Sequence, residues 1–300
     1  MKKKTYLFAL MAMVLTLGSC SDNENGIGGE TSKYITVSTS IGNMTRVATD
    51  EKGGQTFEEG DEISVYAWTG DATVAPETSE RVVNNAINKL TNGSWVSTPQ
   101  MLWKNNRDKH YFIGVYPTAA ISDLSAGEYT FDANKQTESD LLVAVNPDGL
   151  SYSADAQQTV PLTFTHVMAK LAVNLTYKNQ WGGIPTVEKV VVGNAAKEAT
   201  INYLTKVVTP STTAKEDFSL PEITENTKYV SVIIPQEDVT QLTIVIGGKN
   251  FVYDNGTPFK LESGKITTVN LEVGRDEIKL GDVKITNWED GSTFSGEALN

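Results

Sequence analysis

The sequence predicts an all-β protein, two tandem β-sandwich domains behind an N-terminal leader and a polar tether. Three observations carry that expectation. Beyond residue 30 no stretch sustains a helical period of apolar residues; short runs rich in Thr, Val, Ile and Tyr alternate apolar with polar positions; and Gly, Asn, Asp and Pro separate those runs. Closely spaced strands without intervening helices are the pattern of sandwiches. The 300-residue length suits two domains once a leader is removed, and a 39% hydrophobic content is enough for real cores.

The elements follow in order. Residues 34–41 place Ile35, Val37 and Ile41 on one face of a first strand, with Thr36, Ser38 and Ser40 on the other. Gly60-Asp61 turns the chain into an apolar strand over residues 63–68. Asn92-Gly93, between Leu90 and Trp95, is a two-residue hairpin signal, because both positions tolerate positive φ. Residues 110–116 are almost all apolar and stop at Pro117, as a buried strand does. Residues 159–176 read as one long strand whose phase slips. Leu162 and Phe164 share one parity, while Val167, Ala169, Leu171, Val173 and Leu175 share the other. Such a slip predicts a bulge or kink near His166, where the strand leaves one sandwich for the next. Residues 189–192, 228–234, 242–246, 251–253 and 266–273 continue the pattern, and a last segment over 282–288 follows a polar break at 274–276. The domain boundary is set near residue 158, giving an N-terminal domain over 33–158 and a C-terminal one over 159–300.

The first residues carry a different kind of information. Lys2, Lys3 and Lys4 precede an apolar run over 6–17 that is too short to span a bilayer comfortably, the grammar of a signal peptide. It ends in Leu17-Gly18-Ser19-Cys20, which resembles the lipobox of bacterial lipoproteins, and Cys20 is the sole cysteine of the chain. That resemblance implies cleavage after residue 19, acylation of the Cys20 thiol and acylation of the new amine. At ~0.8 kcal/mol per buried methylene, such chains exceed what stable anchoring needs. Residues 20–32, polar and glycine-bearing, read as a flexible tether.

Charge and motif content exclude several functions. The formal charge of -12 and pI near 4.7 leave nothing to neutralise phosphates, which argues against nucleic acid. Removing residues 1–19, with three lysines and no acids, takes the charge to -15. His110 and His166 lie inside strand-like runs without ligand spacing, so no metal site and no cofactor is expected. No Gly-x-Ser-x-Gly frames a serine, and nothing selects a carboxylate pair from the many acids, so no catalytic residue is assigned. The glycine pairs 53–54, 182–183 and 247–248 lack phosphate-loop spacing and read as turns. Trp68, Trp95, Trp103, Trp181 and Trp288 could stack on sugars, although tryptophan in a sandwich more often packs in a core or along a sheet edge.

Several motifs converge on a family. Met44-Thr45-Arg46 follows the first strand; then come Phe57-Glu58-Glu59-Gly60-Asp61-Glu62-Ile63, the run Tyr111-Phe112-Ile113-Gly114-Val115-Tyr116-Pro117, residues 136–144, and residues 162–171. In this order they resemble the fimbrillin-like proteins of Bacteroides and Porphyromonas, the type V pilus subunits and their accessory proteins. The resemblance spans nearly the whole chain. It implies transthyretin-like sandwiches, an outer-membrane lipoprotein at the cell surface, and a role in fimbriae and adhesion. It also implies an arginine-specific cut in the first loop, here between Arg46 and Val47. That cut would release the strand of Ile35, Val37 and Ile41, and a strand from another subunit would fill the groove. Val283 and Ile285 alternate with Lys284 and Thr286 and form a candidate donor strand, although Ile278, Leu280 and Trp288 fall on the other parity. Stalk, tip and anchor positions are all compatible with this reading, as is a host or bacterial surface receptor. A surface glycan- or ligand-binding lipoprotein is the alternative.

Overall fold

The computed structural model describes residues 33–42, 56–136, 138–153 and 158–288. Among them the chain is almost entirely strand: β1 (Thr36–Ile41), β2 (Glu62–Thr69), β3 (Val83–Thr91), β4 (Ser94–Thr98), β5 (His110–Tyr116), β6 (Gly127–Thr130), β7 (Leu142–Leu150), β8 (Thr159–His166), β9 (Ala169–Tyr177), β10 (Val187–Ala196), β11 (Glu198–Asn202), β12 (Val207–Pro210), β13 (Lys215–Ser219), β14 (Glu222–Thr224), β15 (Lys228–Ile233), β16 (Gln236–Ile246), β17 (Lys249–Leu261), β18 (Lys265–Val273) and β19 (Ile278–Asn287). Two single-turn 3-10 segments, Thr78–Glu80 and Asn179–Trp181, interrupt them. The all-β expectation holds.

A seven-stranded sheet runs in the order β1-β8-β7-β5-β2-β3-β4. Its β1–β8 pair is parallel, and its other pairs are antiparallel. Both faces are covered, which explains the near-continuous apolar runs. Along β2, Ile63, Val65 and Ala67 enter one buried cluster, while Tyr66 and Trp68 enter another. Phe112 of β5 joins the first cluster, and Ile113 and Val115 join the second. The hairpin signal at Asn92-Gly93 is the β3–β4 turn, with φ of 51° and 72° at its two central residues.

The second half of the chain forms a five-stranded sheet, β14-β15-β9-β18-β19, and a four-stranded one, β13-β10-β16-β17. A three-stranded sheet, β12-β11-β6, pairs Glu198 with Thr130 and Ile201 with Gly127, so it ties the second half to the first.

The phase slip near His166 is a change of sheet. β8 ends there, and β9 opens at Ala169 in the five-stranded sheet. β8 is hydrogen-bonded between β1 and β7 in the seven-stranded sheet, and the change of sheet falls at Val167-Met168, two fully buried apolar residues.

One row of side chains crosses the seven-stranded sheet. Backbone register places Ile41 beside Phe164, Phe164 beside Ala144, Ala144 beside Gly114 and Gly114 beside Val65. The small residues make room for the Phe164 ring: a Cβ on Gly114 would lie 2.7 Å from Phe164 Cζ and 3.1 Å from Leu162 Cδ1. Gly114→Ala is therefore expected to destabilise the fold by ~1–3 kcal/mol through overpacking. A lowered urea midpoint with an unchanged m-value would register that loss.

Candidate functional site

The first strand sits at an edge. Its backbone register with β8 runs from Thr36 beside Thr159 to Ile41 beside Phe164, and the Gly42 amide donates to the Phe164 carbonyl at 2.7 Å. Ile35 and Val37 are buried, 2% and 6% exposed, and join the cluster of Val160, Leu162 and Phe164. Ile41 is half-buried and packs against the same cluster. The three apolar positions expected of the displaceable strand thus serve one core. On the outer face the contacts are weak hydroxyl pairs, Thr36 with Thr159 at 3.2 Å and Ser40 with Thr163 at 3.1 Å.

Among the described residues no strand pairs with the other side of β1. The sheet curls so that its far edge, β4, approaches β1. Main-chain bonds close this seam only at its start, where the Ile35 amide donates to Met101 and the Trp103 amide to Lys33. Beyond that the link is a side chain, with the Trp95 indole N–H donating to Thr39 Oγ1 at 3.0 Å. A cleft of about 810 Å³ lies along the seam, lined by β1 from Thr36 to Gly42 and by Phe57, Leu90, Gly93 and Trp95. Phe57 plugs its inner end, meeting Trp95, Tyr116 and Phe164 edge-on with ring centres 5.1–5.3 Å apart.

A second cleft, about 570 Å³, begins on the other side of Ile41 and Phe57 and is lined by Tyr116, Asp61, Asp140, Lys170 and Ile223 among others. Burial, reinforced by the Asp61 carboxylate, pushes the Tyr116 phenol above its ordinary pKa. This end of the β1 slot is therefore polar and acidic, while its floor is apolar.

Cys20, Arg46 and Val47 lie outside the described residues. The candidate donor does not. β19 is the edge strand of the five-stranded sheet, and the apolar side chains Leu280, Val283 and Ile285 along it are 37%, 41% and 38% exposed. The parity break noted in the sequence is resolved by a bulge. Val283 pairs with Val269 and Leu280 with Leu271, so Gly281-Asp282 together oppose Asn270. The bulge returns Leu280 to the face of Val283 and Ile285. A Gly-Asp pair set between two apolar parities was the available signal for it. Phe57 and Trp95, the aromatic wall of the slot, had no such signal, because their partners are distant in sequence.

The tryptophans are mostly used internally. Trp68 is 2% exposed and donates to the Asp71 carbonyl, while Trp181 donates to the Val273 carbonyl. Trp103 meets His110 and Phe112 edge-on and lines a separate cleft of about 740 Å³ with Val74, Leu102 and Lys104. His110 is fully buried, its Nε2 accepts from the Lys104 amide, and burial lowers its pKa, which keeps it neutral. His166 is held by Asp140, Nδ1 to Oδ1 at 2.8 Å. The two histidines thus occupy different structural niches.

Residues 45–288 match the fimbrillin-like family, and the chain belongs to it. A curated relative from Bacteroides uniformis, "Putative fimbrium subunit Fim1C", is 25% identical over 97% of both chains. Among solved structures, a "putative cell adhesion protein" from Bacteroides ovatus superposes with a TM-score of 0.62 at 18% identity, over 85% of this chain and 98% of that one. A fimbrial protein from Bacteroides vulgatus gives 0.54 at 12% identity, over 86% and 100%. The family is one of structural subunits of a cell-surface appendage, not of enzymes.

The slot geometry predicts an asymmetric response to charge. Val37→Asp would bury a carboxylate without a partner and is expected to cost several kcal/mol, unseating β1. Ser38→Asp, on the exposed face, is expected to stay within ~0.5 kcal/mol of the parent. Hydrogen exchange of the 36–41 amides distinguishes the two, with fast exchange only in the first variant.

Proposed function

We propose that this chain is a fimbrial subunit exported as an outer-membrane lipoprotein on Cys20, matured by cleavage between Arg46 and Val47, and assembled by strand replacement at the slot of β1. The observation that carries this reading is the edge position of β1. It fills an apolar slot with Ile35 and Val37 and lies open to a cleft on its other side. After a cut at Arg46, residues 20–46 would be held by non-covalent contacts alone. An incoming strand that covers three side chains of this size gains ~1.5–3 kcal/mol each, and the β8 edge supplies main-chain hydrogen bonds. β19 suits the donor role, because Leu280, Val283 and Ile285 present an apolar row on an edge strand. We read the body as two sandwich modules, with the chain crossing between them at Val167-Met168.

A second reading, capture of a surface glycan, rests on the Trp103 cleft, whose volume lies in the range of roughly 300–1,000 Å³ usual for small-ligand sites. Asp71, Glu80 and Lys104 line it beside the indole and could hydrogen-bond hydroxyl groups. Binding on a glycan array that is lost in Trp103→Ala but kept in Trp181→Ala would establish it; an empty array would remove it.

The main reading has a direct test. An arginine-specific protease added to purified mature protein is expected to cut after Arg46, to release the first strand on mild heating, and to yield SDS-resistant oligomers. Arg46→Ala is expected to block all three. Digestion at other arginines while Arg46 stays intact would overturn the maturation step. The N-terminal residue recovered from intact cells separates acylated Cys20 from Val47.

A further inference from the structure

Strand β19 is exposed along almost its whole length, yet the residue that ends it is buried. Every position from Lys279 to Asn287 is solvent-exposed, whereas Trp288 is 3% exposed. The Trp288 ring stacks on the imidazole of His166, with ring centres 3.9 Å apart and planes inclined by 7°. The Lys170 ammonium lies 4.1 Å from the same ring centre, and the Trp288 amide donates to the Gly264 carbonyl at 2.9 Å. Asp140 fixes His166 through Nδ1. Elsewhere β19 is held by main-chain pairing to β18, which the Gly281-Asp282 bulge interrupts, by the Asn270 side-chain amide donating to the Asp282 carboxylate at 2.6 Å across that bulge, and by Ile278 against the core.

The partner of that indole is significant. His166 is the last residue of β8, the strand on which β1 rests, and Phe164 two residues earlier receives the amide of Gly42. One side chain therefore joins the end of the candidate donor strand to the end of the acceptor strand of the same molecule.

We infer that Trp288 is a latch, a positioning residue that keeps β19 on its own sheet. The inference deepens the strand-replacement reading and rests on it for its biological meaning. The latch itself is a property of the single chain. An edge strand with a bulge and a solvated apolar row is a low-stability element that opens locally. A stacked, fully covered indole at its end opposes that opening, because β19 cannot peel away until the ring leaves the His166 and Lys170 contacts. Release of the ring would free residues 278–287 as a unit.

The test is hydrogen exchange on the full mature chain. In Trp288→Ala the amides of β19 are expected to exchange at least about thirtyfold faster, while those of β10 and β16 keep their rates. Trp288→Phe, which retains an aromatic ring, is expected to lie between the parent and the alanine variant, and it serves as the readout should the alanine variant fail to fold. Ile285→Thr, on the same strand but outside the ring contacts and already 38% exposed, controls for general weakening of the strand. Unchanged β19 exchange in both Trp288 variants would overturn the latch, as would acceleration spread equally over β10 and β16. Capture of the released strand is measured separately, by mixing with copies cut after Arg46 and stripped of residues 20–46. Fast β19 exchange without capture would keep the latch and remove strand donation. Capture at the parental rate with β19 exchange unaltered would keep donation and remove the latch.

Discussion

A sheet buried on both faces still has two edges, and each edge leaves main-chain donors and acceptors that need a partner or water. The seven-stranded sheet meets this constraint by curling until β1 and β4 face each other across a seam. The seam is closed by main-chain bonds at Lys33 and Ile35 and by an indole–hydroxyl contact at Trp95, and it stays open elsewhere. A fully closed barrel would have no replaceable strand. A wide-open sheet would expose the apolar floor formed by Val160, Leu162 and Phe164. The half-closed seam permits a covered core with an accessible edge, and the positions of Ile35, Val37, Phe57 and Trp95 depend on it.

The same constraint explains how the two halves are joined. The chain crosses from one sheet to the other at Val167-Met168, both buried, and the short β6 of the first half is claimed by β11 of the second. One buried cluster runs from Tyr66 and Ile113 to Val190 and Leu271, so the inner face of the seven-stranded sheet shares its core with the second half. The other cluster, which contains Ile35 and Val37, belongs to the opposite face of that sheet alone. Changes in the β1 slot therefore act on the smaller core and leave the larger one packed.

Much of this was legible in the sequence because period-2 patterning is local. The alternation of residues 34–41, the Asn92-Gly93 turn, the buried run ending at Pro117 and the phase slip at His166 each depend on neighbours in the chain. Pairing partners are another matter. Nothing near Gly127 announces a strand, and four residues become one only because Ala199 and Ile201 lie alongside. Likewise, in the wall of the slot Phe57 meets Trp95 and Phe164, residues 38 and 107 positions away that strand order alone brings together. The broken parity of the last strand looked like a flaw in the donor pattern until the bulge restored it. Of the candidate site, the apolar content of β1 was readable and the cleft beside it was not.

In the strand-replacement reading proposed above, the choice of the first strand follows from how a strand is held. An interior strand such as β5 is paired on both sides and buried on both faces, so its removal would open two ladders and two cores. β1 has one ladder, parallel and six residues long, and contributes side chains to one core. While it is covalently continuous, its ordering cost is shared with the rest of the fold. Once severed it must bear that cost itself, ~1–2 kcal/mol per residue, against ~1.5–3 kcal/mol for each buried apolar side chain and about 1 kcal/mol for each hydrogen bond. Those terms are of similar size for residues 35–41, in which Ile35 and Val37 are buried and Ile41 is half-buried. In the strand-replacement reading proposed above, an incoming strand that reached the cleft lined by Ile41, Asp61 and Asp140 would add contacts there to those of the β8 ladder.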